Sequence, residues 1–203
     1  MKVSVSILKE KDNINEVIKK LDNTNADYIH LDIMDSTFTE NSSFKLSDFL
    51  NISLSKKYDI HIMSTNLDYQ INEAIKLKPE FITFHVEATD DVKKYIDLIK
   101  NNSIKVGLAI SPDTKLEEVY DYLNDIDILL VMSVVPGQGG QEFITSTIDK
   151  LKQIDKKRNY IVSVDGGINN ETIDLVRKYT DMVVSGSYIT SSDNYKEKID
   201  TLK

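Results

Sequence analysis

The chain has 203 residues, with 33 acidic against 25 basic side chains, a formal net charge of −8 and a pI near 4.9. The lysines are scattered along the chain, which argues against a nucleic-acid partner. The absence of cysteine excludes disulfides and thiolate chemistry, and it leaves His, Asp and Glu as metal ligands. No apolar run reaches the roughly 18 residues of a membrane span, so we expect no membrane partner. The length suits one domain, residues 1–203. The lack of cysteine agrees with a cytoplasmic location, which we expect.

Short β-rich apolar runs recur along the chain, at 3–8, 28–34, 58–63, 81–86, 105–110, 127–134, 160–165 and 181–187. Apolar residues at three- and four-residue intervals predict helices between them, most clearly over 66–78, 90–102 and 115–125. This alternation, with a repeat of roughly 20–30 residues, is typical of parallel strands joined by right-handed helical crossovers. Eight such units predict an α/β fold, the (β/α)8 or TIM barrel, with an open doubly wound sheet as the alternative.

All three histidines of the chain, His30, His61 and His85, lie in predicted strands. Strand side chains alternate between faces, so Asp32 shares a face with His30. A further predicted strand ends on Asp165. Any one of these residues alone is as well explained by a hydrogen-bonded polar group at a strand end. Together, at matching positions, they predict a catalytic site where imidazoles and carboxylates converge at one edge of the sheet.

Six of the seven glycines follow the last three predicted strands: Gly137, Gly139, Gly140, Gly166, Gly167 and Gly186. Glycine lets backbone amides approach an anion closely, and barrels of this kind often bind phosphate with the loops after strands seven and eight. A lone Gly-Gly pair usually makes only a turn, but three glycine sites in one quadrant favour phosphate. No lysine or arginine occurs in 137–140, 165–167 or 185–187, so binding is expected to rest on backbone amides and helix N-termini.

Six motifs follow one another in a fixed order: HLDIMD (30–35), DIHIMS (59–64), ITFHVEA (82–88), GLAISPDT (107–114), VMSVVPGQGGQEF (131–143) and VDGGIN (164–169). With this set the chain resembles the ribulose-phosphate 3-epimerase family, from about Ser6 to Ser187. The resemblance implies a barrel isomerase of the pentose phosphate pathway that interconverts D-ribulose 5-phosphate and D-xylulose 5-phosphate. It also implies one divalent metal ion, which Zn, Fe, Mn or Co would suit, and a homo-oligomer.

The resemblance also implies residue roles. Metal ligands fall on His30, Asp32, His61 and Asp165, and Asp32 and Asp165 double as the catalytic acid/base pair. Substrate contacts fall on Ser6, His61, Gly137, Gln138, Gly139, Gly140, Gly166, Gly167, Gly186 and Ser187, and a methionine lining on Met34, Met63 and Met132. His85 and Glu87 match the family but are not its ligands, so we expect a buried supporting role for them.

An acid/base pair made of Asp32 and Asp165 suits the chemistry of epimerisation. Inverting a carbinol carbon beside a ketone requires removal of a proton on one face and return of a proton on the other, which two carboxylates accomplish in both directions. A carboxylate near pKa 4 is too weak a base unless the enediolate charge is stabilised as it forms. A divalent Lewis acid provides that stabilisation.

Departures from the family pattern cluster around the substrate. Val5, Ser36, Glu40 and Gln138 stand where the family usually has Pro, Gly, Pro and Phe, and KEKDN (9–13) replaces a small, aspartate-containing segment. A 3-epimerase of another ketose phosphate, such as allulose 6-phosphate or a surface-sugar precursor, is therefore an alternative. A non-catalytic metal-binding barrel is another, although retention of both aspartates argues against it.

Overall fold

In the computed structural model, which describes residues 1–203, eight strands close into a barrel in chain order. They are β1 Lys2–Ser6, β2 Tyr28–Met34, β3 Lys57–Met63, β4 Phe81–His85, β5 Lys105–Ile110, β6 Ile128–Met132, β7 Ile161–Asp165 and β8 Met182–Ser185. All neighbouring pairs are parallel, and β1 closes the ring against β8. The predicted (β/α)8 barrel is confirmed, and the open-sheet alternative is wrong.

Helices connect successive strands on the outside of the barrel. The α-helices are α1 Ile14–Asp22, α2 Leu67–Lys76, α3 Val92–Asn101, α4 Thr147–Gln153, α5 Ile173–Val176, α6 Ser187–Thr190 and α7 Tyr195–Leu202, and 3₁₀ helices span Leu46–Phe49, Val86–Ala88 and Leu116–Tyr122. The segment predicted as a helix over 115–125 is thus a 3₁₀ helix. Its buried Leu116 and Val119 are three residues apart, a spacing that suits three residues per turn. None of the helices is long and apolar enough to cross a membrane.

Each strand divides its side chains between the barrel interior and the helical layer. The outward set packs against the helices in one cluster of 48 buried apolar residues, to which β2 contributes Ile29, Leu31 and Ile33. The inward set changes along the barrel axis. At the amino ends of the strands the interior is filled by Tyr28, Phe81, Ile128 and Met182. Toward the carboxyl ends it becomes polar, which is where the sequence predicts a site.

Strand register decides which inward side chains become neighbours. In the ladder between β2 and β3, His30 pairs with Asp59 and Asp32 pairs with His61. Asp165 ends β7, which β8 and β1 separate from β2 around the ring. Because only closure of the barrel brings these strands to face one another, Asp165 reaches the cluster from a different wall.

Candidate active site

The four predicted metal ligands converge inside the carboxyl end of the barrel. One ligand atom each from His30, Asp32, His61 and Asp165 lies within 4.8 Å of the others. Asp32 Oδ1 is 3.3 Å from His30 Nε2 and 3.2 Å from His61 Nδ1. His61 Nδ1 also lies 3.9 Å from Asp165 Oδ2. Both histidines and Asp32 are buried, whereas Asp165 is partly exposed toward solvent.

A hydrogen-bond chain beneath the cluster orients His30. Its Nδ1 lies 2.8 Å from Asp59 Oδ2, and the same oxygen accepts from Ser4 Oγ at 2.8 Å. Since an ionised carboxylate can only accept, His30 Nδ1 carries the hydrogen and Nε2 is directed at the cluster. That Nε2 is buried and has no hydrogen-bond partner, because its contact with Asp32 lacks hydrogen-bond geometry. This unpaired nitrogen points toward the carboxylates of Asp32 and Asp165, and a metal ion bound between them would coordinate it.

A second chain of contacts orients His61. Its Nε2 lies 2.9 Å from His85 Nε2, and His85 Nδ1 lies 3.0 Å from Glu87 Oε2. Burial lowers the pKa of His85 to about 4, so its ring is neutral at pH 7. Because Glu87 accepts the hydrogen of His85 Nδ1, the facing Nε2 of His85 accepts from His61 Nε2–H. His61 Nδ1 then presents a lone pair to Asp32 and Asp165, and His85 acts through His61.

The charges of the cluster also favour a cation. Burial and the neighbouring Asp32 carboxylate raise the pKa of Asp165 to about 7. Burial raises the pKa of Asp32 as well, but the Coulombic attraction of His30, the largest opposing effect, helps to hold that pKa well below its usual value. The cluster thus attracts positive charge, which a bound metal ion supplies in place of protons. Two imidazoles and two carboxylates without a thiolate fit zinc, iron, manganese or cobalt.

A cleft of about 370 Å³ opens beside Asp32 and Asp165 and extends over the glycine loops. Most of the expected substrate contacts and two methionines line it: Ser6, Gly137, Gln138, Gly139, Gly140, Gly166, Gly167, Gly186, Ser187, Met63 and Met132. His61, the remaining expected contact, is fully buried and does not line the cleft. Met34 is buried at the end of β2, also outside the lining. The site thus joins a charged cluster to a glycine-rich pocket.

Close packing shapes the glycine loops. Gly167 has a φ of +64°, and a Cβ there would lie 2.6 Å from the backbone nitrogen of Phe143, so no other residue fits without a shift. The amide groups of Gly139, Gly140, Gly167 and Gly186 donate to no acceptor in the chain. Backbone donors without a protein partner are available to an anion.

Ser6 joins the two parts of the cleft. Its Oγ donates to Asp32 Oδ2 at 2.6 Å. On its other side, a Cβ at Gly186 would lie 3.2 Å from Ser6 O and 3.3 Å from Ser6 Cβ. A larger residue at Gly186 would therefore disturb two features, the glycine loop itself and the Ser6 hydroxyl that donates to Asp32.

Sequence reasoning missed two residues of this region. Asp59 lies two positions before His61 on the same face of β3, so strand alternation was a signal that could have found it. Lys9 follows β1, and its side chain lies against Gly139 and Gly140. The expectation that no lysine accompanies the glycine loops is therefore wrong, because the contact comes from a segment far away in sequence.

The departures from the family pattern occupy different environments. Val5 is fully buried in the outward core. Ser36 has a φ of +63°, a conformation that glycine, the family's usual residue, adopts without a steric cost. Glu40 is exposed, and Gln138 is an exposed residue of the cleft lining. Of these three polar replacements only Gln138 lines the cleft, and none belongs to the four-residue His/Asp cluster.

The family model described as the Ribulose-phosphate 3 epimerase family matches residues 2–190. The chain belongs to the ribulose-phosphate 3-epimerase family. It is 35% identical over 199 residues to a ribulose-phosphate 3-epimerase of Buchnera aphidicola subsp. Acyrthosiphon pisum, a match that covers 94% of this chain and 87% of the relative. The Escherichia coli K12 enzyme of the same name is 33% identical over 187 residues, 88% of this chain and 83% of the relative. The protein is thus an isomerase of a family that acts on carbohydrate phosphates.

Solved structures support the fold independently. The 3-hexulose-6-phosphate synthase from Salmonella typhimurium matches with a TM-score of 0.69 at 18% identity, covering 100% of this chain and 96% of that chain. The tryptophan synthase alpha subunit from Campylobacter jejuni matches with a TM-score of 0.68 at 17% identity, covering 100% and 95%. At such low identity these structures share the barrel architecture only.

Proposed function

We propose that the protein is a metal-dependent ribulose-phosphate 3-epimerase that interconverts D-ribulose 5-phosphate and D-xylulose 5-phosphate. The observation that carries the proposal is the placement of two carboxylates, Asp32 and Asp165, which both belong to the four-residue cluster and both line the cleft. They come from β2 and β7, with two other strands between them around the ring. A ketose in the cleft can therefore have one carboxylate on each face of its C3 carbon.

The two aspartates then move the proton. One accepts it from C3 on one face while the other returns a proton to the opposite face, and the roles exchange in the reverse direction. A divalent ion held by the four ligands would act as a Lewis acid toward the negative charge that develops on the substrate oxygens. Met63 and Met132 keep the lining beside the carboxylates apolar, which limits water and strengthens electrostatic interactions there.

The glycine loops supply the other half of the proposal. The free amides of Gly139, Gly140, Gly167 and Gly186 are suited to a phosphate group. Binding energy from a phosphate remote from the reacting carbon orients that carbon between the two aspartates. The phosphorylated ketose is therefore expected to react far better than the free sugar.

A 3-epimerase of another ketose phosphate, such as D-allulose 6-phosphate, is the second candidate. It would use the same cluster and the same carboxylates. The observation that favours it is Gln138, which lines the cleft at a position that the family usually fills with an aromatic residue.

Metal analysis and a substrate comparison test both candidates. We expect about one divalent ion per chain, as one four-ligand site requires. We also expect a higher kcat/KM for D-ribulose 5-phosphate than for D-allulose 6-phosphate, and the reverse order would select the second candidate. Metal-loaded protein that turns over neither sugar would indicate a non-catalytic barrel. Full activity after complete removal of the metal by a chelator would contradict metal dependence.

A further inference from the structure

Lys9 follows β1 and lies along the loop of residues 137–140. Its Cε and Cγ are 3.5 and 3.6 Å from the position that a Cβ would take on Gly139. A Cβ on Gly140 would collide with Lys9 Nζ, and the same point lies 3.5 Å from Ser187 Oγ. The stem of Lys9 thus packs on the loop after β6, and its ammonium reaches the region between that loop and the loop after β8.

Lys9 has no charged neighbour of either sign on its side of the cleft lining. Among the lining residues it has the only positively charged side chain, and the only negative ones are Asp32 and Asp165 at the metal cluster. Lys9 forms no ion pair with any carboxylate of this acidic chain. An ammonium that lies beside free amides and has no protein counter-ion is available to an anionic group of a ligand.

We propose that Lys9 binds the phosphate group of the substrate, together with the amides of the 137–140 loop and the hydroxyl of Ser187. The proposal rests on the proposed function for the ligand, a sugar phosphate. A lysine ammonium is a mobile point charge with three donors, which suits a phosphate dianion, and its hydrogen bonds to phosphate are charge-assisted. Lys9 belongs to the KEKDN segment (9–13) that departs from the family pattern, so this contact is a feature of this chain.

The test variant is Lys9→Met, which keeps most of the stem that packs on Gly139 and removes the ammonium. The matched control is Lys11→Met, because Lys11 lies on the same loop, carries the same charge and donates to Ser42 O at 2.6 Å outside the cleft lining. We expect Lys9→Met to lower kcat/KM for D-ribulose 5-phosphate about 10- to 100-fold, mostly through KM, as for loss of a charged hydrogen bond. The value for unphosphorylated D-ribulose should not change, and Lys9→Arg should restore most of the loss.

Lys11→Met should change neither value by more than about twofold, since exposed charges away from the site contribute little. A loss of equal size for D-ribulose and its 5-phosphate, or an equal loss in both lysine variants, would overturn the proposal. Lys9 is exposed, and thermal unfolding should show that both variants fold like the wild type.

Titration with inorganic phosphate separates this proposal from the proposed function. Calorimetry on the metal-loaded protein measures phosphate affinity without any turnover. Weaker phosphate binding by Lys9→Met than by the wild type and Lys11→Met supports the role of Lys9, even if the wild type epimerises neither ketose phosphate. Equal phosphate affinity in all three proteins overturns the role, even if the wild type is an active epimerase.

Discussion

The two ends of the barrel interior are built from the same eight strands, yet they differ in almost every physical respect. At the amino ends, the rings of Tyr28 and Phe81 pack edge to face with their centroids 5.4 Å apart. The ammonium groups of Lys2 and Lys105 lie 5.2 and 5.4 Å from the centroids of these two rings. Burial of apolar area and cation–π contacts make this end a source of stability.

The carboxyl end costs stability instead. It holds a buried imidazole nitrogen of His30 without a partner and brings the carboxylates of Asp32 and Asp165 close to each other. Unpaired polar groups and like charges are unfavourable in a protein interior. The apolar end and the outer core thus stabilise the barrel, whereas the carboxyl end is arranged for binding and chemistry.

The largest effect that separates the two ends is expected from Asp165→Asn. The amide cannot accept a proton, so incorporation of solvent deuterium into the ketose epimer whose C3 hydrogen faces Asp165 should fall on the order of 10³-fold or more, whereas Asp32 can still exchange the C3 proton of the other epimer. The melting temperature of the metal-free protein should not fall, because the change removes a carboxylate that faces Asp32. Mass spectrometry of the sugar and thermal unfolding provide the two measurements. Incorporation at the wild-type rate into both C3 epimers would exclude Asp165 as an acid/base residue.

The reverse pattern is expected from Phe81→Ala at the amino end. Removing a fully buried ring should lower the free energy of unfolding by about 3–5 kcal/mol. Since the ring lies at the opposite end of the interior, kcat/KM measured well below the melting temperature should stay within about twofold of the wild type. Urea unfolding and a steady-state assay test this, with Phe81→Leu as a milder control. A parallel loss of metal affinity would show that the two ends are coupled.

A smaller effect, confined to the carboxyl end, is expected from Asp59→Asn. The amide oxygen still accepts from His30 Nδ1–H, but the negative charge that strengthens His30 as a ligand is lost. Metal affinity should fall about 10- to 100-fold, as for other residues that support metal ligands. Competition with a chelator of known affinity measures this, and saturating metal should restore most of kcat. Unchanged metal affinity would limit Asp59 to a structural role.

The smallest effect is expected from Glu87→Gln, because Glu87 reaches His61 only through His85. We expect metal affinity to fall by less than about tenfold, below the loss in Asp59→Asn, since the change is one residue further from the metal. Glu87 also accepts from Ser111 N at 2.7 Å and from Thr114 Oγ1, so about 1 kcal/mol of stability should be lost as well. A loss of metal affinity equal to that of Asp59→Asn would make the two supporting chains equivalent.

Much of the fold and part of the buried His/Asp cluster could be predicted because the relevant signals are local. Apolar runs and their spacing indicated the eight strands, and alternation within β2 placed His30 and Asp32 on one face. Asp59 was not predicted as a site residue, because a single acidic residue in a buried strand is usually just a hydrogen-bonded polar group. Only the register between β2 and β3 places it beside His30. The 115–125 segment was misassigned because a three-residue spacing over so short a stretch fits either helix type.

The sequence by itself determined the closed (β/α)8 architecture and the three glycine loops, since each depends on residue type and on periodicity over a few positions. The four expected metal ligands came from the family resemblance. The tertiary structure alone decided three contacts. Asp165 lies close to Asp32, Gly186 contacts Ser6, and Lys9 lies against Gly140. These contacts join segments from opposite ends of the chain. They arise from ring closure and strand register, which no local pattern encodes, because the distance between two residues inside a barrel is independent of their separation in sequence.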